Sequence, residues 1–433
     1  MRMKRKAEER LLAWKNKSAA DRKPLLLNGA RQVGKTYLLR TFGAAEFESV
    51  VYLNLETNLT IASYFEDNIE PARLIRYLEA AANQRIIPRK TLLILDEIQA
   101  CERALTALKY FYEELPEYHI AAAGSLLGVA IHRQQSSFPV GKVETLTLYP
   151  LDFEEYLWAR GKTMLADEIR LAYASMEPLQ EAMHQEATEL YREYLLIGGM
   201  PAAINSFLQS GSFLDVQLIQ NEILDNYIAD MAKYASNAES VKIRACYNSI
   251  PAQLAKDNKK FQYKVVQKGG SRSLFGASLE WLEQSGVVLK CQRLDQAFDP
   301  ISVYADLSAF KIYMGDVGLL TAKSGISQQT VLSGEGNTFM GALTENYVAQ
   351  QLAAKGYSLY YWESSSTAEL DFVLQKDAQI VSIEVKKGEH VRSRSLSVFV
   401  EAYHPAYSVR FSLKNFGASE GLKSVPLYAV FCI

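Results

Sequence analysis

The eight residues GARQVGKT, Gly29 to Thr36, constrain this chain more tightly than any other stretch. The apolar run Leu25 to Leu27 precedes them and the helix-forming YLLRTF follows, so G-x-x-x-x-G-K-[ST] sits between a strand and a helix. Gly29 and Gly34 let the backbone bend, and the N–H groups of Ala30, Arg31, Gln32 and Val33 can then turn inward onto phosphate oxygens. The helix that begins there adds the positive end of its dipole. Lys35 is expected to reach the β and γ phosphates and Thr36 to place its hydroxyl on Mg²⁺, with Tyr37 ending the binding stretch. The expected ligands are therefore ATP and Mg²⁺.

Two further apolar runs, SVVYLNLE (49–56) and TLLILDEIQ (91–99), extend a parallel α/β sheet, because uninterrupted apolar strands suit a sheet covered on both faces. The second run ends in two acids. Asp96 is placed to serve the Mg²⁺ water shell, and Glu97 to polarise an attacking water. A fourth strand, YHIAAAGS (118–125), ends in Ser125, whose hydroxyl is a candidate to sense the γ-phosphate or orient water.

A chain of 433 residues holds two to four domains, each able to bury a core of its own. With 48% hydrophobic and 22% charged residues it reads as ordinary globular protein, and a net charge of −2 gives no global attraction to nucleic acid. Cys101, Cys246, Cys291 and Cys432 form no CxxC pair, so neither structural zinc nor a disulfide framework is expected. The basic amino terminus has helical rather than secretory patterning, and the longest apolar run, 120–131, is too short to cross a bilayer. The cytosol is the expected compartment, with no membrane partner.

Residues 163–235 carry helical periodicity and read as a helical lid. From about 240 short helices give way to a helix ending at Gly286 and then a strand, the order of a winged helix. Lys256, Lys259, Lys260, Lys264, Lys268 and Arg272, interleaved with Phe261 and Tyr263, could contact phosphates of DNA there.

Past the expected strand 310–320, the last quarter runs helix (GALTENYVAQQLAAKG), three strands (SLYYWES, ELDFVLQ, IVSIEVKKG), helix (393–403) and strand (YSVRFSL), an αβββαβ order. A two-residue turn at Asp377-Ala378 would set Asp371 opposite Glu384 and Glu369 opposite Lys386. Glu384 and Lys386, two apart, share a strand face. Two carboxylates so close would repel one another unless a divalent cation, Mg²⁺ or Mn²⁺, lay between them.

GARQVGKT and LLILDEIQ, with LTLYPLDFEEYL (146–157) and YLLIGGMPAAI (194–204), resemble the AAA+ and STAND class of ATPases. More closely they resemble a bacterial and archaeal ATPase family that carries a C-terminal region of unassigned function. By that resemblance Gly199-Met200-Pro201 is a lid element that touches nucleotide. One departure is that Gly141-Lys142 stands where family members often have Gly-Arg, and lysine lacks the bidentate fork of a guanidinium. Arg133 is a candidate for an arginine supplied to a neighbour in a ring.

The D-x12-E-x-K pattern after a helix bearing Glu345 resembles the PD-(D/E)xK nuclease superfamily. That resemblance makes Asp371 and Glu384 metal ligands, Glu345 their support, and Lys386 the residue that positions the attacking water. The expected fold is α/β: a P-loop ATPase core with a parallel sheet (1–160), a helical lid (161–238), a winged helix (239–307) and a restriction-endonuclease-like αβββαβ domain (308–433). Two functional expectations follow: an ATPase coupled to a nuclease-like domain acting on DNA, or an ATPase switch whose C-terminal domain binds a partner protein or nucleic acid without cleavage.

Overall fold

The computed structural model describes residues 3–125, 139–334, 337–364, 368–388 and 394–433; Arg133 lies outside them. The chain divides into two compact units, one of Lys4–Tyr149 with Gln284–Gly286, the other of Pro150–Glu283 with Val287–Ile433.

The first unit is built on five parallel strands, β1 (Leu25–Asn28), β2 (Ser49–Asn54), β3 (Thr91–Asp96), β4 (His119–Ala123) and β5 (Glu144–Thr147), in the order β2-β3-β4-β1-β5. Every residue of β3 and β4 is buried, as unbroken apolar runs require when helices cover both faces. One core cluster joins Leu93, Leu95 and Ile120 to Leu74 and Leu78 of helix Pro71–Ala82 and to Leu105 and Leu108 of helix Glu102–Glu114. Because the strands are parallel, the carboxyl ends of β1, β3 and β4 meet at one edge. That edge is where ligands bind in open α/β sheets.

The second unit begins with a run of helices, from Phe153–Ala159 to Asn237–Leu254. The first is started by Asp152 and Glu155, which cap one another's backbone N–H groups. Two of them, Glu181–Ile197 and Pro201–Ser210, are separated by Gly198-Gly199-Met200. Gly198 has φ +73°, and a Cβ there would lie 2.1 Å from Asp316 Oδ1, so only glycine fits. Gly199 N–H donates to Asp316 Oδ2 at 2.6 Å, and Met200 is buried. The Gly-Met-Pro element expected to touch nucleotide thus commits its backbone donor to a buried carboxylate of its own unit.

Eight strands follow in this unit: β6 (Val288–Leu294), β7 (Ala305–Met314), β8 (Leu359–Glu363), β9 (Glu369–Lys376), β10 (Gln379–Val385), β11 (Tyr407–Ser412), β12 (Gly417–Ser419) and β13 (Leu422–Pro426). Their order is β12-β13-β11-β10-β9-β8-β6-β7. Helix Met340–Ala354, strands β8 to β10, helix Arg394–Tyr403 and β11 give the expected αβββαβ succession. β6, the strand expected after Gly286 in a winged helix (239–307), pairs with β7 and is part of this sheet. β6 pairs with β8 in parallel, covering an edge that would otherwise expose unpaired backbone groups. The strand expected over 310–320 ends at Met314, because Asp316 accepts from Leu319 N–H at 3.0 Å and starts helix Val317–Ser324.

Asp377 and Ala378 both have left-handed backbones, φ +50° and +61°, which is the two-residue hairpin turn that matches strand twist. Gln379 pairs with Lys376 and Ile383 with Phe372, so the register is the expected one and the next opposed positions are Glu384 and Asp371.

Candidate active site

Gly29 leaves β1 with φ +142°, and a Cβ added to it would meet Leu148 O at 2.2 Å. The loop can pass beneath Leu148 only because this side chain is absent. Gly34 then leads into helix Lys35–Glu46. Lys35 is buried, and its Nζ donates to Gly29 O and Ala30 O, each at 2.8 Å. Burial lowers the Lys35 pKa to about 8, against the pull of Glu97 and Asp96. The ammonium is therefore held inside the loop by two carbonyls, in reach of whatever anion the loop encloses. Tyr37, one turn into the helix, is half exposed.

Thr36 Oγ1 donates to Asp96 Oδ2 at 2.8 Å, which joins the loop to the end of β3. Both are hard oxygen donors of the kind Mg²⁺ selects, so the residues present fit that ion. Asp96 Oδ1 accepts from Glu97 N–H at 3.0 Å. Tyr52, reaching across from β2, donates to Asp96 Oδ2 at 2.8 Å. Sequence reading passed over Tyr52, although a tyrosine two residues before the end of the neighbouring strand is the signal that could have found it.

Glu97 sits at φ +50°, a left-handed backbone rare outside glycine, asparagine and aspartate. Burial raises its carboxyl pKa, and the hydrogen bond from Gln99 opposes that rise. Ser125 is buried just beyond β4. The structure thus brings Lys35, Thr36, Asp96 and Glu97 into one linked set at the carboxyl edge of the sheet. Lys142 pairs with Glu113 at 2.9 Å.

The second candidate site is arranged otherwise. Glu345, buried on helix Met340–Ala354, accepts from Lys311 Nζ at 3.0 Å and also from Lys259 Nζ and the Tyr313 hydroxyl. Burial works against its charge, but the two lysines win and hold its pKa below the usual carboxylate range. Lys311, fully buried, also meets Glu369 Oε1 at 2.5 Å. Asp371 accepts from Val385 N–H at 2.7 Å, and burial together with the charge of Glu345 pushes its pKa up to about 6.

Glu384 is paired elsewhere, with Arg410 Nε at 2.9 Å and Lys386 Nζ at 3.1 Å. Among the described residues no group of three or more His, Cys, Asp or Glu side chains is placed to hold a metal ion. Of the three acids expected to share a divalent ion, Asp371 thus accepts from Val385 N–H, Glu384 lies against Arg410 and Lys386, and Glu345 lies against Lys259, Lys311 and Tyr313.

Part of the basic cluster is likewise committed inward. Lys259 binds Glu345, Lys260 binds Glu363 and the half-buried Lys256 donates to Gln262 Oε1 at 3.4 Å, which leaves Lys264, Lys268 and Arg272 as its exposed cations. No helix among the described residues is long and apolar enough to cross a membrane.

Residues 21–157 match the family model described as an AAA domain. Residues 188–330 and 340–430 match two domains of unknown function, DUF8612 and DUF4143. Curated relatives include uncharacterized proteins Mb2031c of Mycobacterium bovis and Rv2008c of Mycobacterium tuberculosis. Each is 38% identical over 79 residues, 18% of this chain and 18% of the relative's own length. Among solved structures, a Walker-type ATPase of Pyrococcus abyssi aligns at 14% identity and TM-score 0.44 over 74% of this chain and 96% of its own. The ORC2 protein of Aeropyrum pernix aligns at 12% identity and TM-score 0.37 over 81% and 95%. The AAA-domain match covers the loop, β3 and the linked set at their carboxyl edge.

Proposed function

We propose that this protein hydrolyses ATP in its first unit and uses the nucleotide state to switch its second, which engages a partner. The observation that carries the reading is the linkage of Lys35, Thr36, Asp96 and Glu97 at the end of a parallel sheet. The loop N–H groups of residues 30–36 and Lys35 bind the phosphates. Thr36 and Asp96 would hold Mg²⁺, which when bound neutralises charge on the β and γ phosphates. Glu97 takes the proton from the attacking water, and its raised pKa suits a base. Lys35→Ala should abolish ATP turnover while circular dichroism stays that of the parent; unchanged turnover would refute the site.

For the second unit, the self-neutralised carboxylates favour binding over cleavage. Glu345 and Glu384 each have cations of this chain against them, so the nuclease-like αβββαβ order serves as a scaffold whose partner is a protein or a nucleic acid. Calorimetry with Mg²⁺ and Mn²⁺ should show no heat that Asp371→Ala removes. DNA cut by the parent with either ion, and left intact by Asp371→Ala, would overturn the binding reading in favour of a nuclease.

A further inference from the structure

Gln99 lies two residues past Glu97, in the single turn Ile98–Ala100 that the left-handed backbone of Glu97 introduces. Its Nε2 donates to Glu97 Oε2 at 2.5 Å. A carboxylate only accepts, so the amide nitrogen must face Glu97 and the amide oxygen must face away. That oxygen, Oε1, is buried and accepts no hydrogen bond. A buried acceptor left unpaired is unfavourable, so the side chain is held here by the bond that its nitrogen makes to Glu97. We propose that Gln99 is a positioning residue for hydrolysis: its Nε2 holds the carboxylate of Glu97 in the orientation that takes a proton from the attacking water.

The proposal rests on Glu97 being the base. In the step so arranged, one hydrogen of the water passes as a proton to Glu97 and the other stays on the oxygen. The water oxygen bonds to the γ-phosphorus, and the bond from that phosphorus to the β–γ bridging oxygen breaks, its electron pair leaving with ADP. Inorganic phosphate is the other product. Gln99 does not touch the nucleotide in this arrangement, so it contributes to turnover and not to affinity.

The test uses the full chain, with steady-state turnover and the affinity of a fluorescent ATP analogue measured on four proteins: parent, Gln99→Ala, Glu97→Ala and the double variant. Gln99→Ala should lower kcat about 10- to 100-fold, the cost of a misplaced reacting group, with KM and analogue affinity within about twofold of the parent. Gln99→Glu, which keeps the shape and an acceptor but loses the donor, should fall as far. Adding Gln99→Ala to Glu97→Ala should cost nothing further, because a residue that acts through Glu97 has nothing left to position. An unchanged kcat in Gln99→Ala overturns the proposal, as does a full further loss in the double variant, while Glu97→Ala remaining inactive keeps the base assignment intact. Parent-like turnover in Glu97→Ala removes that assignment and the role of Gln99 with it.

Discussion

Lys311→Met should be among the most damaging single substitutions in the second unit. The methionine keeps the apolar stem and removes an ammonium that is wholly buried between Glu345 Oε1 at 3.0 Å and Glu369 Oε1 at 2.5 Å, over the Tyr361 ring at 4.8 Å. Glu369 is 30% exposed and can turn to water, but Glu345 is 2% exposed and cannot. Breaking a buried pair from one side costs about 3–5 kcal/mol. Because Lys259 and Tyr313 still contact Glu345, the loss should fall at the lower end, about 3 kcal/mol. Urea unfolding followed by far-ultraviolet circular dichroism reads it as a lowered midpoint at unchanged slope. The decisive control is Lys311→Met with Glu345→Gln. It leaves no stranded charge, since Lys259 is 20% exposed, and it should be more stable than Lys311→Met alone. A single variant within about 1 kcal/mol of the parent, or a double variant that loses the sum of both singles, would refute the electrostatic reasoning.

Two other outcomes follow from backbone and burial. Gly29→Ala forces a Cβ to within 2.2 Å of Leu148 O at φ +142°, so the loop must shift; ATP-analogue affinity should fall more than about tenfold, and parent-like affinity would show that the loop tolerates the change. Asp316, whose carboxyl burial raises from 3.8 to about 6, binds its proton more tightly folded than unfolded, so its contribution is complete below about pH 4 and is lost as pH rises through 6. About two units correspond to about 3 kcal/mol. Asp316→Asn stays neutral throughout, so the stability of the parent relative to this variant should decline between pH 4 and 6; a constant difference would sink the assignment.

What the sequence disclosed tracks how local the physics is. GARQVGKT was legible because eight contiguous residues, a strand before and a helix after, fix the loop without help from elsewhere. The β9–β10 register was legible for the same reason: the turn at Asp377-Ala378 has two residues, and a period-2 strand leaves no further freedom once its turn is placed. Gln99 was visible in the run TLLILDEIQ but not its role, which depends on the left-handed backbone at Glu97 turning the amide back onto the carboxylate. The place of the strand after Gly286 was not legible, because β6 finds its parallel partner β8 more than sixty residues later and a strand's own sequence carries no record of which edge it joins.

The acids of the last quarter show why a motif is weaker evidence than the charges around it. Asp371, Glu384 and Glu345 were rightly seen to need positive charge, since carboxylates brought together in a half-buried sheet repel one another. The sequence offered a divalent ion as the cation, because a ligand pattern can be read from spacing. It could not show that Lys311, a lone charge in the apolar run FKIYM and 34 residues before Glu345, faces inward, or that Lys259, 86 residues before it, reaches the same carboxylate. Those lysines satisfy the electrostatic demand without any metal. Glu345 and Glu384 each lie against cations of this chain, while Lys264, Lys268 and Arg272 remain exposed.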